Sequence, residues 1–196
     1  MNTFFKVSTL GLLISFTYGC STLDEGKPDL SALAPDACTF QNTKEEAPMW
    51  TCTGEFEGLV AGRGSFKQVN ASENLSFQIA QQRARADLAR KLLVELKTSL
   101  SDYESAAGDA FDARVDTHVQ GINKSELQMP LEGSRVYASV TSPDGTLYVL
   151  VGLDEDLAKK NKLRAIKNSF RDPAAQWAKS EADKAYDKLE AYLDKQ

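Results

Sequence analysis

At 196 residues the chain is long enough for one domain of moderate size plus extensions. Its 42% hydrophobic and 26% charged content is that of an ordinary globular protein. A net charge of −5 and an isoelectric point near 5.0 argue against nucleic-acid binding, which rests on neutralising phosphates, and against attachment to anionic lipid through a basic patch.

The first element in chain order is a leader. Lys6 forms a short basic region, and the apolar run "VSTLGLLISF" follows from Val7 to Phe16. Ten residues make ~15 Å of helix, half of a ~30 Å bilayer core. Length, flanks and the small residue Gly19 fit an export signal over residues 1–19, cleaved between Gly19 and Cys20. The stretch "SFTYGCS" then presents Cys20 as a lipidation site, although Thr17 stands where the consensus wants an aliphatic residue. Ordinary signal peptidase cleavage at the same bond is the competing reading. It would leave a reactive thiol on a flexible tail, so lipidation is the expectation. Ser21 in place of Asp directs such a protein to the outer membrane.

The three cysteines are Cys20, Cys38 and Cys52, an odd number that leaves one thiol to explain in an exported protein. A Cys38–Cys52 disulfide would close "CTFQNTKEEAPMWTC" and stabilise by ~3 kcal/mol in an oxidising compartment. The alternative is two reduced cysteines in a strand and loop. Two cysteines and one distant histidine do not make a closed zinc set, so neither a metal nor a cofactor is expected.

Residues 20–47 read as a lipidated N-terminus and tether, rich in small, polar and turn residues without periodicity. Folded structure is expected from Pro48. "MWTCTGEFEGLVAGRGSF" reads as one or two strands with a turn or bulge at Gly62–Gly64. From Ser72, a plausible N-cap, Phe77, Ala80, Ala84, Leu88, Leu92, Leu96 and Leu100 form an apolar stripe at helical spacing. Arg83, Arg85, Arg90 and Lys91 mark its wetter face. A break at "SDYES" precedes a second helix carrying Ala107, Phe111, Val115 and Val119, with Gly121 as its stop. Leu127, Met129 and Leu131 alternate as an edge strand bent by Pro130. "RVYASV" and "TLYVLVGL" around "TSPDG" predict a hairpin with Gly145 at the positive-φ position. A helical tail from Asp154 is split by Pro173. Its second half sets Ala175, Ala178, Ala182, Ala185, Leu189 and Tyr192 at near-heptad spacing, for packing on the chain's own domain or for a subunit contact. The expected fold is α+β: a small antiparallel sheet covered on one face by a long helix and a second helix, with a C-terminal helical extension. The domain spans 48–154 and the extension 155–196.

No catalytic constellation stands out. His118 with Asp116 lacks a nucleophile motif beside it and reads as a helix-surface histidine. "AGRGSF" lacks the Lys-Ser/Thr pair of a phosphate loop. Glu55 and Glu57 straddle Phe56 and would share a strand face, but solvated carboxylates are the simpler reading than an acid/base pair. Lys159, Lys160, Lys162 and Arg164 form a cationic cluster beside acidic neighbours. Trp50 and Trp177 are core or interface anchors.

The lipoprotein leader, "PMW", "GRGSF", "AQQRARADLARKLL" and "SPDGTLYVLVGLD", in that order over about Pro48 to Asp154, resemble the Lpp-twenty lipoprotein domain family. This family includes a flagellum-associated outer-membrane lipoprotein. The resemblance implies a non-enzymatic envelope protein that works through protein–protein contacts. Its implied partners are envelope or flagellar basal-body proteins, or further copies of itself. The Cys38/Cys52 pair and the helical tail fall outside the family pattern. The alternative is a periplasmic module that binds peptidoglycan or regulates a wall-synthesis enzyme, with Trp50 as a stacking surface.

Overall fold

The computed structural model describes residues 38–67, 72–107, 113–124, 127–172, 175 and 177–193. The leader, the Gly19–Cys20 bond, the lipidation site Cys20, the tether as far as residue 37, and Phe111 lie outside the described residues. Among the described residues the order is α1 (Met49–Thr53), β1 (Val60–Lys67), α2 (Glu73–Ala107), α3 (Ala113–Lys124), β2 (Arg135–Thr141), β3 (Thr146–Leu153), α4 (Glu155–Arg171) and α5 (Lys179–Leu193). The fold is α+β, with one antiparallel sheet in the order β1-β3-β2.

β3 is the central strand and is buried along most of its length. Val149, Val151 and Leu153 face α2 and pack with Ala80, Ala84, Leu88 and Leu92. Tyr148 and Leu150 face the other way and pack with Phe40, Trp50 and Ala61. The predicted hairpin forms. Ser142 donates its amide to Thr146 at 2.8 Å, and Gly145 sits at φ 80°. Asp144 accepts from the Ser142 hydroxyl, from Lys67 and from Thr146, which holds its carboxyl well below the ordinary carboxylate range. The expected alternation of Val136, Ala138 and Val140 fails on β2. A bulge between Val136 and Ala138 sends Val136 to the α2 face and Ala138 and Val140 to the opposite one.

Gly62 and Gly64 do not form a turn. They lie inside β1, opposite Val151 and Val149, at the place where α2 crosses the sheet. A Cβ on Gly62 would sit 2.3 Å from the Leu88 amide nitrogen and 2.4 Å from the Ala84 carbonyl oxygen. On Gly64 it would sit 2.2 Å from the Ala80 carbonyl oxygen. Glycine in a strand interior marks such a close approach of another backbone. On the helix side the contact is made by alanines with no exposure, Ala80 and Ala84.

α2 is ~52 Å long and does not break at "SDYES". Tyr103 extends the stripe beyond Leu96 and Leu100 and is 1% exposed, so tertiary burial overrides the polar local sequence. The Ser72 hydroxyl accepts from the Leu75 amide at 3.3 Å, which is the predicted N-cap. The first half of α2 covers the sheet. The second half builds a separate helical core with Val115, Val119 and Ile122 of α3, Ala165, Ile166 and Phe170 of α4, and Ala182, Ala185, Tyr186 and Leu189 of α5. The second helix of the expected fold, α3, therefore packs on α2 and not on the sheet. It also runs past Gly121 to Lys124, because Ile122 is buried. The tail is part of this core, where Ala182, Ala185 and Leu189 of its stripe are buried. Asp154 caps α4, accepting from the Leu157 amide at 2.8 Å.

The strand expected at Leu127–Leu131 is a connector. Its side chains pack inward, but it is tied down by a side chain and not by a neighbouring strand. Buried Asn161 accepts from the Glu132 amide at 2.9 Å and donates to the carbonyls of Glu132 and Leu157 at 3.0 and 2.8 Å.

Gly62→Ala and Gly64→Ala should each cost about 3 kcal/mol or more, above the usual penalty for an added core methyl, because the obstructing atoms are main chain. Denaturant midpoints check this; midpoints equal to wild type would contradict the close approach.

Candidate functional site

Folded structure begins at or before Cys38, ten residues ahead of the expected domain start. Cys38 and Cys52 are bonded, with sulfurs 2.15 Å and Cα atoms 6.0 Å apart. Between them the chain turns back on itself: Phe40 donates to Glu45 at 3.0 Å and Ala47 donates to Cys38 at 2.8 Å. Asn42 supplies the left-handed residue. This strap, continued by α1, lays Phe40 and Trp50 on the sheet face away from α2. Trp50 is thus core, 8% exposed, and offers no stacking surface for a glycan.

The outer edge of β1 is covered by three α2 side chains spaced one turn apart. Arg83 donates to the Ser65 carbonyl at 2.7 Å, Asp87 accepts from the Arg63 amide at 3.1 Å, and Lys91 donates to the Ala61 carbonyl at 2.9 Å. Lys91 also reaches the Gly54 carbonyl at 2.9 Å, completing the C-terminal cap of α1. Arg63 in turn donates to the Thr51 carbonyl. Beside this ladder a cleft of about 450 Å³ opens between Leu59, Val60 and Val94, with Arg90 and Glu95 on its walls. Val94 is 60% exposed, and Phe56, on the turn that leads to Leu59, is 49% exposed. Glu55 and Glu57 flank Phe56 on this turn and not on a strand, and both are exposed.

His118 is not a plain surface histidine. Its ring lies 4.1 Å from the Phe170 ring and edge-on to Trp177 at 5.7 Å. Arg114 stacks over Trp177 at 4.2 Å and pairs with Glu181 at 2.8 Å. The Ser169 hydroxyl donates to the Ile166 carbonyl at 2.7 Å, so at 3.2 Å it accepts from His118 Nε2. A nucleophilic serine needs the opposite polarity, donating to the imidazole. Asp116 accepts from Gln120 one turn along. Burial lowers the His118 pKa below its ordinary value. Arg114, His118, Ser169 and Trp177 line a groove of about 900 Å³ between α3 and α4, with Gly121, Gln128 and Asn168 on its walls. Ser169, Trp177 and Arg114 come from separate segments and carry no shared local pattern, so the sequence reading missed their grouping.

Two members of the cationic cluster are drawn into ion pairs: Lys162 meets Glu95 at 3.2 Å, and Arg164 meets Glu132. Among the described residues no group of His, Cys, Asp and Glu is placed to hold a metal ion, and no helix is long and apolar enough to cross a membrane. No family model matches the chain, and no curated protein matches it.

Replacing Cys38 and Cys52 together by Ser should lower stability by about 2–4 kcal/mol, read as a lower Tm that reductant does not lower further. An unchanged Tm would mean the strap is held without the bond. His118 supplies a second test, because it is the chain's single histidine. Its pKa is depressed in the folded state, so the unfolded chain takes up the proton first. Stability is then full above the unfolded pKa of about 6.5 and declines as pH falls below it. Tm measured from pH 7.5 to 5.5 should fall, and His118→Gln should flatten that slope.

Proposed function

We propose that this chain is a bacterial outer-membrane lipoprotein without enzymatic activity, acting through protein–protein contacts in the cell envelope, in a flagellum-associated assembly needed for motility. The observation that carries the reading is the Cys38–Cys52 bond, since structural disulfides persist in oxidising, exported compartments. It agrees with the leader and leaves Cys20 as the thiol without a disulfide partner. The resemblance to the Lpp-twenty lipoproteins supports the flagellar setting. The polar-rimmed apolar surface at Phe56, Leu59, Val60 and Val94 supports the contact role, because such patches mark protein interaction sites.

In the native bacterium the mature N-terminus should carry a diacylglycerol and an acyl chain on Cys20, and Cys20→Ala should move the protein from the membrane to the soluble fraction. Deletion should abolish motility, and a Phe56→Asp, Val94→Glu chain should reproduce the defect at normal abundance. A free Cys20 thiol in the mature protein would end the lipid anchor. Normal motility with intact motor ultrastructure would end the flagellar role.

A further inference from the structure

The groove between α3 and α4 is lined by polar groups without a partner inside the protein, Gln128 and Asn168 among them, both exposed on its walls. Its volume of about 900 Å³ is that of a small-molecule site. The carboxamides of Gln128 and Asn168 line it, and neither has a hydrogen-bond partner among the described residues. The same holds for the indole N–H of Trp177 and for His118 Nδ1, which keeps its lone pair because Nε2 donates to Ser169. The Thr117 hydroxyl spends its proton on the Ala113 carbonyl at 2.8 Å and offers acceptor capacity to the groove.

Two further features shape the space. Gly121 lies within α3, where glycine is less favourable than alanine. A Cβ built on it meets nothing within 4 Å. No packing demand explains this residue, and its effect is to widen the groove. Across from it stands Ala165, the small residue of α4. Two charged residues line the groove, Arg114 and Asp172, one of each sign, and Arg114 is further held by Glu181 and stacked on Trp177.

We propose that this groove binds a neutral, hydroxyl- and amide-bearing glycan through the Gln128, Asn168, Trp177 and His118 polar groups, with Gly121 providing the room. Convergent neutral donors and acceptors in a mixed polar and apolar cleft suit uncharged hydroxyls and acetamido groups. A peptide with free termini would instead need unpaired charges of both signs. Stacking contributes little, because Arg114 covers an indole face. The inference goes beyond the contact role proposed above, and rests on residues other than Trp50.

The test uses the mature chain with Cys20→Ala, so that lipidation has no bearing on the outcome. Chitotetraose, maltotetraose and trialanine are titrated in turn, with calorimetry and with NMR of the single histidine ring and the two indole N–H signals. Chitotetraose should bind and shift His118 and one indole. Asn168→Ala or Gln128→Ala should each weaken binding about tenfold, the loss of one well-made hydrogen bond. Gly121→Leu should keep or raise the Tm and abolish binding. The proposal is overturned if neither oligosaccharide shifts His118, if trialanine binds in preference, or if folded Gly121→Leu binds as wild type does.

Discussion

The fold depends on the contact between the backbone of β1 and the backbone of α2. Gly62 and Gly64 leave no side chain on the strand, and Ala80 and Ala84 leave only methyls on the helix. Main chain meets main chain at a distance no other residue pair would permit. The approach brings polar α2 side chains within reach of the strand's outer edge. Arg83, Asp87 and Lys91 then satisfy Ser65, Arg63 and Ala61 in turn. An exposed edge strand is a template for unwanted pairing. Here the edge is closed by a helix that the glycines themselves admit, so one sequence feature serves both packing and protection.

Once α2 is seated, the rest follows from its length. Its first half spends the stripe on the sheet, and its second half spends the same stripe on α3, α4 and α5. The two apolar cores share α2 and α4: Ala158 belongs to the sheet core, and Ala165 and Ile166 belong to the helical one. The disulfide strap closes the opposite sheet face, where no helix of comparable length among the described residues covers Tyr148 and Leu150. Staples of this kind compensate for limited apolar burial.

Local signals were legible and distant ones were not. The hairpin was readable because turn chemistry and alternation sit side by side in "TSPDGTLYVLVGL". The α2 stripe, its Ser72 cap and the break in the tail between Arg171 and Lys179 were readable for the same reason, although Pro173 itself lies outside the described residues. The glycines of β1 were visible as an anomaly, but turn, bulge and close approach share that signature. Only Ala80 and Ala84, on α2, decide among them. "MWTCT" carries β-favouring residues yet forms a helical turn, because the bond to Cys38 and the burial of Trp50 override propensity. Leu127, Met129 and Leu131 alternate as a strand does, but the segment pairs with no strand among the described residues, and Asn161 holds the backbone of Glu132 just after it. Of the candidate chemistry, the Cys38–Cys52 pair was readable from spacing. The His118 surroundings were not, since Trp177 and Ser169 reach it from elements far along the chain.

The helical end inherits its geometry from the sheet end. α4 starts where β3 stops, with Asp154, the residue after the strand's last, capping it, so the sheet fixes where α4 begins. The Glu132 contacts of Asn161 hold the connector against the same helix. α3 takes its position from the second half of α2, through Val115, Val119 and Ile122. The His118–Ser169 hydrogen bond joins α3 to α4, and its length reports the spacing of two helices placed by different routes. A shift of α2 over Gly62 and Gly64 would therefore reach the groove without touching any residue that lines it.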